Sequence, residues 1–284
     1  FITELSSLLF NRTPMPIAAA KKEDLLDLTP KKIRSLTREG IWKGRSEGLA
    51  PGYIQANVTI LPRDIAFDFL LFCQRNPKPC PLLEVTEPGS SFIHKMADAD
   101  LRTDLSGYQI FKKGKIVGDP INIVDHWHSE LVGFLLGCSY SFEKALLSAG
   151  VSLRHLEENK IAPIYKTNIQ CKSAGRFSGP LIVSMRPIRS DQVTKTVQVT
   201  SRLPVAHGTP IHIGNPSTLG IDDLDNVLYE TDRMAIGRNE TPVFWACAFT
   251  PQAIALDSGV SFIITHKPGH LFITDRLTEE VAIL

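Results

Sequence analysis

The chain has 284 residues, 43% of them hydrophobic, enough to bury one large core or two smaller ones. Its 31 basic and 30 acidic residues leave a formal charge of +1, so no overall field points to nucleic acid or an anionic membrane. No apolar stretch approaches the ~18 residues of a membrane span, and five cysteines without a CxxC pair fit a reduced, cytoplasmic protein better than a disulfide scaffold.

The chain starts at Phe1, which leaves room for a removed organelle-targeting peptide. Residues 1–50 are helix-rich by pattern, and Thr29-Pro30 predicts a helix start with Thr29 as cap. The basic residues Lys31, Lys32, Arg34, Arg38, Lys43 and Arg45 alternate with Asp27, Glu39 and Glu47 and read as a solvated face. YIQANVTIL (53–61) alternates as a strand does, DIAFDFLLFCQRN (64–76) has helical spacing, and PLLEV (81–85) is a second strand. YQIFKKGKIV (108–117) predicts a hairpin. Asp125 is a candidate cap for a helix with the stripe Trp127, Leu131, Phe134, Leu135 and Cys138, and a second short helix runs to Gly150. GPLIVSMRPI (179–188) is a strand, and residues 191–203 are helical by position though rich in β-branched side chains. Further strands are PIHIG (210–214), TPVFWACAF (241–249), SFIITH (261–266) and LFITD (271–275), with a helix over PQAIALDSG (251–259). No internal repeat is apparent.

This order predicts an α/β protein of two domains. A mixed-sheet α/β main domain, residues 1–115 plus 205–284, would carry a smaller inserted α+β domain, residues 116–204. The turns at Gly118-Asp119-Pro120 and Leu203-Pro204 suggest the division.

There is no Walker loop, GxGxxG, HExxH or GxSxG, which argues against a nucleotide hydrolase, a dinucleotide oxidoreductase, a zincin and an α/β-hydrolase. Polar residues gather instead at strand ends and turns. Arg102 and Asp104 lie two apart in RTDL; they are a carboxylate clamp or a structural ion pair. Tyr165 and Asn168 in YKTN offer a phenol and an amide. Arg186 ends an apolar strand, where α/β ligand sites tend to lie. HGTPIHIGNP (207–216) holds His207 and His212, either of which suits a general base, against two structural histidines. With His266, His270 and Asp275 they could ligate a divalent metal such as Mn²⁺ or Mg²⁺, although the spacing matches no standard site. Cys138 is a small buried hydrophobe or a reactive thiol. If a helix follows it, Ser139 and Ser141 stand at an N-terminus that favours an anion, as caps or as ligands, and Glu143 lies in the first turn.

These segments resemble the D-glutamate cyclase-like family, many of whose members are labelled hydro-lyases. The resemblance rests on GLAPGYIQANVTILP (48–62), FLLFCQRNPKPCPLLEV (69–85), DLRTDL (100–105), FLLGCSYSFEKALLSAG (134–150), YKTNI (165–169), GPLIVSMRP (179–187), HGTPIHIGNP (207–216), TPVFWAC (241–247) and THKPGH (265–270). Tyr140 and Asn215 stand where Phe and Asp are expected, and Ala248 and Phe249 where Gly and Val are usual. The resemblance implies a lyase that removes water from a small amino or carboxylic acid, closing D-glutamate to 5-oxo-D-proline. On that expectation Arg102 or Arg186 holds the α-carboxylate, residues 138–141 bind the oxyanion, and Glu143, His207 or His212 moves protons. Asp104, Tyr165 and Asn168 complete the pocket, and Cys138 is open as a nucleophile. Alternatives are a hydratase or dehydratase of another small dicarboxylic acid and a non-catalytic acid-binding protein. The expected partner is the small acid itself, with homo-oligomerisation left open and no basic face for nucleic acid.

Overall fold

The computed structural model describes residues 21–229 and 231–283. Two sheets carry the fold. The larger contains β1 (Tyr53–Pro62), β2 (Leu82–Val85), β5 (Tyr108–Lys112), β6 (Lys115–Gly118), β7 (Leu131–Gly137), β12 (Phe262–His266) and β13 (Phe272–Leu277). Its order is β2-β7-β1-β12-β5-β6, and β13 also pairs with β1, so β1 has β7 along one edge and β12 and β13 in succession along the other. The smaller sheet has the order β10-β11-β9-β8, from β8 (Ile164–Gln170), β9 (Pro180–Arg189), β10 (His212–Ile213) and β11 (Glu240–Ala246). β3 (Phe92–Ile93) and β4 (Ala99–Asp100) form a short ribbon. Helices and strands alternate as in an α/β protein, yet every pairing among the described strands is antiparallel rather than mixed. The chain crosses between the sheets after residue 137 and again after residue 246.

β1 divides its side chains by parity. Ile54, Ala56, Val58 and Ile60 join Tyr108, Leu135, Ile264 and Phe272 in one core. The opposite stripe, Gln55, Asn57 and Thr59, is polar and equally buried. Helix α2 (Arg63–Arg75) packs Ile65, Phe69 and Phe72 over the sheet's other core with Val132, Phe134 and Leu136. There the Phe69 and Phe134 rings meet edge to face at 4.8 Å. β7 replaces the helix expected from Asp125; only Val124–His126 makes a helical turn. All seven of its residues are buried, and a run buried on both faces loses the alternation that marks a strand.

Helix α1 (Pro30–Arg38) begins as predicted, with the Thr29 hydroxyl accepting the Lys32 N–H. Its basic face is not wholly solvated, because buried Arg34 donates to the Ile273 carbonyl at 2.8 Å and to Asp275 at 2.7 Å. Among the described residues no helix is long and apolar enough to cross a membrane.

Candidate functional site

Where the two sheets meet, a small cavity of about 40 Å³ is lined by Asn57, Cys138, Ser139, Tyr140, Ser184, Cys247, Phe249 and His266, with Ile161, Ala162, Ile164, Thr231, Pro268, Gly269 and Leu271 completing it. One wall is the turn between β7 and helix α3 (Tyr140–Ser148). Gly137 makes the turn possible, since a Cβ there would lie 1.7 Å from the Val205 carbonyl oxygen. Ser141 fastens it: its hydroxyl accepts the Gln55 N–H at 2.9 Å and donates to the Gln55 carbonyl at 3.3 Å. Ser141 thus latches the turn onto β1. Ser139 precedes the helix but makes no side-chain cap; its hydroxyl accepts from Arg186 Nη2 at 3.1 Å.

Behind this wall lies a buried polar cluster. Arg186 donates through Nε (3.0 Å) and Nη2 (2.5 Å) to one oxygen of Glu143, and through Nη1 to Ser184 Oγ at 3.3 Å. His155 Nε2 reaches the same Glu143 oxygen at 2.9 Å. The guanidinium is enclosed by the rings of Phe142, Trp245 and Tyr140, at 4.9, 5.7 and 5.8 Å from their centroids. Burial pushes the Glu143 carboxyl up, but His155 and Arg186 outweigh it and hold it below the usual carboxylate range. All three guanidinium nitrogens have protein partners, so Arg186 braces the wall from behind.

The cavity itself presents polar atoms without protein partners: Asn57 Nδ2, the Tyr140 hydroxyl and His266 Nε2. His266 Nδ1 lies 3.3 Å from the Val58 nitrogen. Burial lowers its imidazole to about 4, so the ring is neutral near pH 7. Burial raises the Cys138 thiol, against the opposing pull of the Tyr140 N–H, the Asn57 amide and Arg186. The two histidines proposed as bases lie elsewhere. His207 holds the left-handed conformation at φ 74° and donates from Nδ1 to the Lys78 carbonyl at 2.8 Å, beside a different pocket. His212 sits half-buried on the edge strand β10, bonded to the Asn215 carbonyl. The Asn215 side chain accepts the Ser217 N–H, a capping role open to either an amide or a carboxylate.

The remaining expected pocket residues do not converge on the cavity. Arg102 pairs with Asp100 rather than Asp104, which is bonded instead to Arg38. Tyr165 donates to the Leu224 carbonyl inside the smaller sheet's core, and Asn168 donates to the Thr218 carbonyl. The five residues weighed as a metal set are also dispersed; His270 bonds Ser106 and Asp275 bonds Arg34. Among the described residues no three His, Cys, Asp or Glu side chains assemble as a metal-binding group. Cys138, Ser139, Glu143 and Arg186 are brought together as a cluster. Asn57, Tyr140, His266 and Cys247 are the lining residues that sequence reasoning did not assign to it.

A family model described as D-glutamate cyclase matches residues 132–275. A provisionally named hydro-lyase of Geobacillus kaustophilus is 50% identical over 258 residues, covering 90% of this chain and 98% of its own. Provisionally named hydro-lyases of Rubrobacter xylanophilus (51% over 253 residues, 89% of this chain and 97% of its own) and Bacillus subtilis (48% over 258 residues, 90% and 100%) match equally broadly.

Proposed function

The chain belongs to the D-glutamate cyclase family, and we propose that it is a hydro-lyase whose cavity closes D-glutamate to 5-oxo-D-proline with loss of water. The observation that carries this reading is the meeting, in one small cavity, of the Cys138 thiol and the start of α3 with the unpartnered polar atoms of Asn57 and His266. Lactam closure needs a neutral amine, stabilisation of the oxyanion formed when that amine attacks the γ-carboxyl, and protons for the departing oxygen. The start of α3 and Asn57 Nδ2 supply donors to the oxyanion. His266, neutral in its buried site, is the hydrogen-bond partner of the attacking nitrogen. Cys138, kept protonated by burial, is a proton donor to the leaving oxygen. Glu143 and Arg186 act through Ser139, holding the turn in place.

The test is incubation with D-glutamate, L-glutamate and 5-oxoproline, with and without Mn²⁺ or Mg²⁺, followed by chiral analysis. Conversion of D-glutamate is expected. Turnover confined to other small hydroxy or dicarboxylic acids would point to a different hydro-lyase. Thermal stabilisation by the acids with no turnover would point to a binding protein. Either result sinks the glutamate reading.

A further inference from the structure

The turn that carries Cys138 occurs twice. β11 ends at Ala246, Cys247 follows, and helix α6 (Phe249–Asp257) begins two residues after the cysteine, as α3 begins two residues after Cys138. Both strands have seven residues and both helices nine. The hydrogen bonds also repeat. Cys138 N–H donates to the Gln55 carbonyl at 3.1 Å, and Cys247 N–H donates to the Ile182 carbonyl at 3.0 Å. The Thr250 hydroxyl accepts the Ile182 N–H at 3.0 Å and donates to the Ile182 carbonyl at 3.2 Å, the latch that Ser141 makes on Gln55. GCSYS (137–141) and ACAFT (246–250) are thus two copies of one device: small residue, cysteine, small residue, aromatic, hydroxyl. Both cysteines line the same cavity, together with the unpartnered Asn57 and His266 atoms.

We propose that Cys247 is a catalytic residue, the second of two thiols that carry protons from nitrogen to oxygen as the substrate loses water. The proposal rests on the glutamate reading. Glutamate enters with three hydrogens on its nitrogen, and the lactam nitrogen keeps one. The γ-carboxylate gives up one oxygen as water. Two protons therefore leave nitrogen and two arrive on the departing oxygen, while a C–N bond forms and a C–O bond breaks. Cys138 and Cys247 each hand one proton to that oxygen and regain one from nitrogen, so nothing is consumed. Burial keeps both thiols protonated at rest, Cys247 being raised to about 12. The repeat is not perfect. Ala248 stands where Ser139 takes the Arg186 hydrogen bond, so only the Cys138 turn is braced by the guanidinium.

The experiment compares wild type, Cys138→Ala, Cys247→Ala and Cys247→Ser in D-glutamate turnover, with 5-oxoproline binding followed by thermal shift. Cys247→Ala is expected to lower kcat by about 10²–10⁴-fold, with KM within about threefold, product binding retained and the solvent deuterium isotope effect on kcat altered. Cys247→Ser, close in size to the native residue, keeps the comparison possible if the alanine variant does not fold. A kcat within about threefold of wild type in Cys247→Ala overturns the assignment, as does joint loss of binding and turnover in both Cys247 variants. A wild-type chain inert toward glutamate sinks the underlying reading, and the thiol assignment with it.

Discussion

Glu143, a candidate proton carrier by sequence, lies at the centre of a buried polar cluster. One of its oxygens takes hydrogen bonds from both His155 and Arg186, and all three side chains are buried. Removing the Glu143 carboxylate leaves the Arg186 guanidinium charged and without its counter-ion in a poor solvent. Glu143→Gln should lower unfolding stability by about 3–5 kcal/mol in urea denaturation at pH 7. A double variant that also carries Arg186→Met should recover much of the loss. The sign with pH follows from the depressed carboxyl: its contribution is complete above the unfolded glutamate pKa of about 4.3 and fades as pH falls through the lower folded value. Glu143→Gln should lack that acid limb. The sequence pattern puts Arg186 at a strand end and so at a ligand site, whereas β9 runs on to Arg189. That pattern has no way to show that Glu143, 43 residues away, would occupy the guanidinium.

The elements explain which parts of the fold were legible. α1, α2, β1 and the β5–β6 hairpin follow from caps, spacing and turn residues, all of them local signals. β7 was read as a helix because an apolar run buried on both faces carries no period, and only its pairing with β1 and β2 decides the matter. The polar stripe of β1 misleads in the opposite way. Gln55, Asn57 and Thr59 look like a solvent face, yet they are buried, and Asn57 reaches the cavity. The doubled turn was legible in principle, since GCSYS and ACAFT share a pattern. Their low identity and the 109-residue offset of the two cysteines hide it from a search for regular repeats. At the first copy the backbone of residues 204–206 closes so tightly on Gly137 that a methyl would meet Val205 O at 1.7 Å. Gly137→Ala should therefore displace that segment and lower the melting temperature by several degrees, about 2–4 °C per kcal/mol in a chain of this size, measured by calorimetry.

At the scale of the whole molecule, three buried histidines make the fold acid-sensitive. His207, His266 and His270 are each lowered to about 4 by burial, against about 6.5 in an unfolded chain. Between those values the unfolded state binds more protons, so stability is complete above about pH 6.5 and falls as pH drops toward 4. His266→Gln should reduce the slope of unfolding free energy against pH in that window by about one proton, read from denaturation at pH 4.5, 5.5 and 6.5. The histidines were visible in sequence, but not their burial, which depends on strands from both ends of the chain coming together. The same closure governs the chamber between the sheets. At about 40 Å³ it has room for a few waters, so an amino acid enters only when the walls part. The affinity measured in solution would then be the intrinsic affinity scaled by the fraction of time the chamber stands open. Substitutions that loosen either latch, Ser141 on Gln55 or Thr250 on Ile182, would change apparent binding through that fraction.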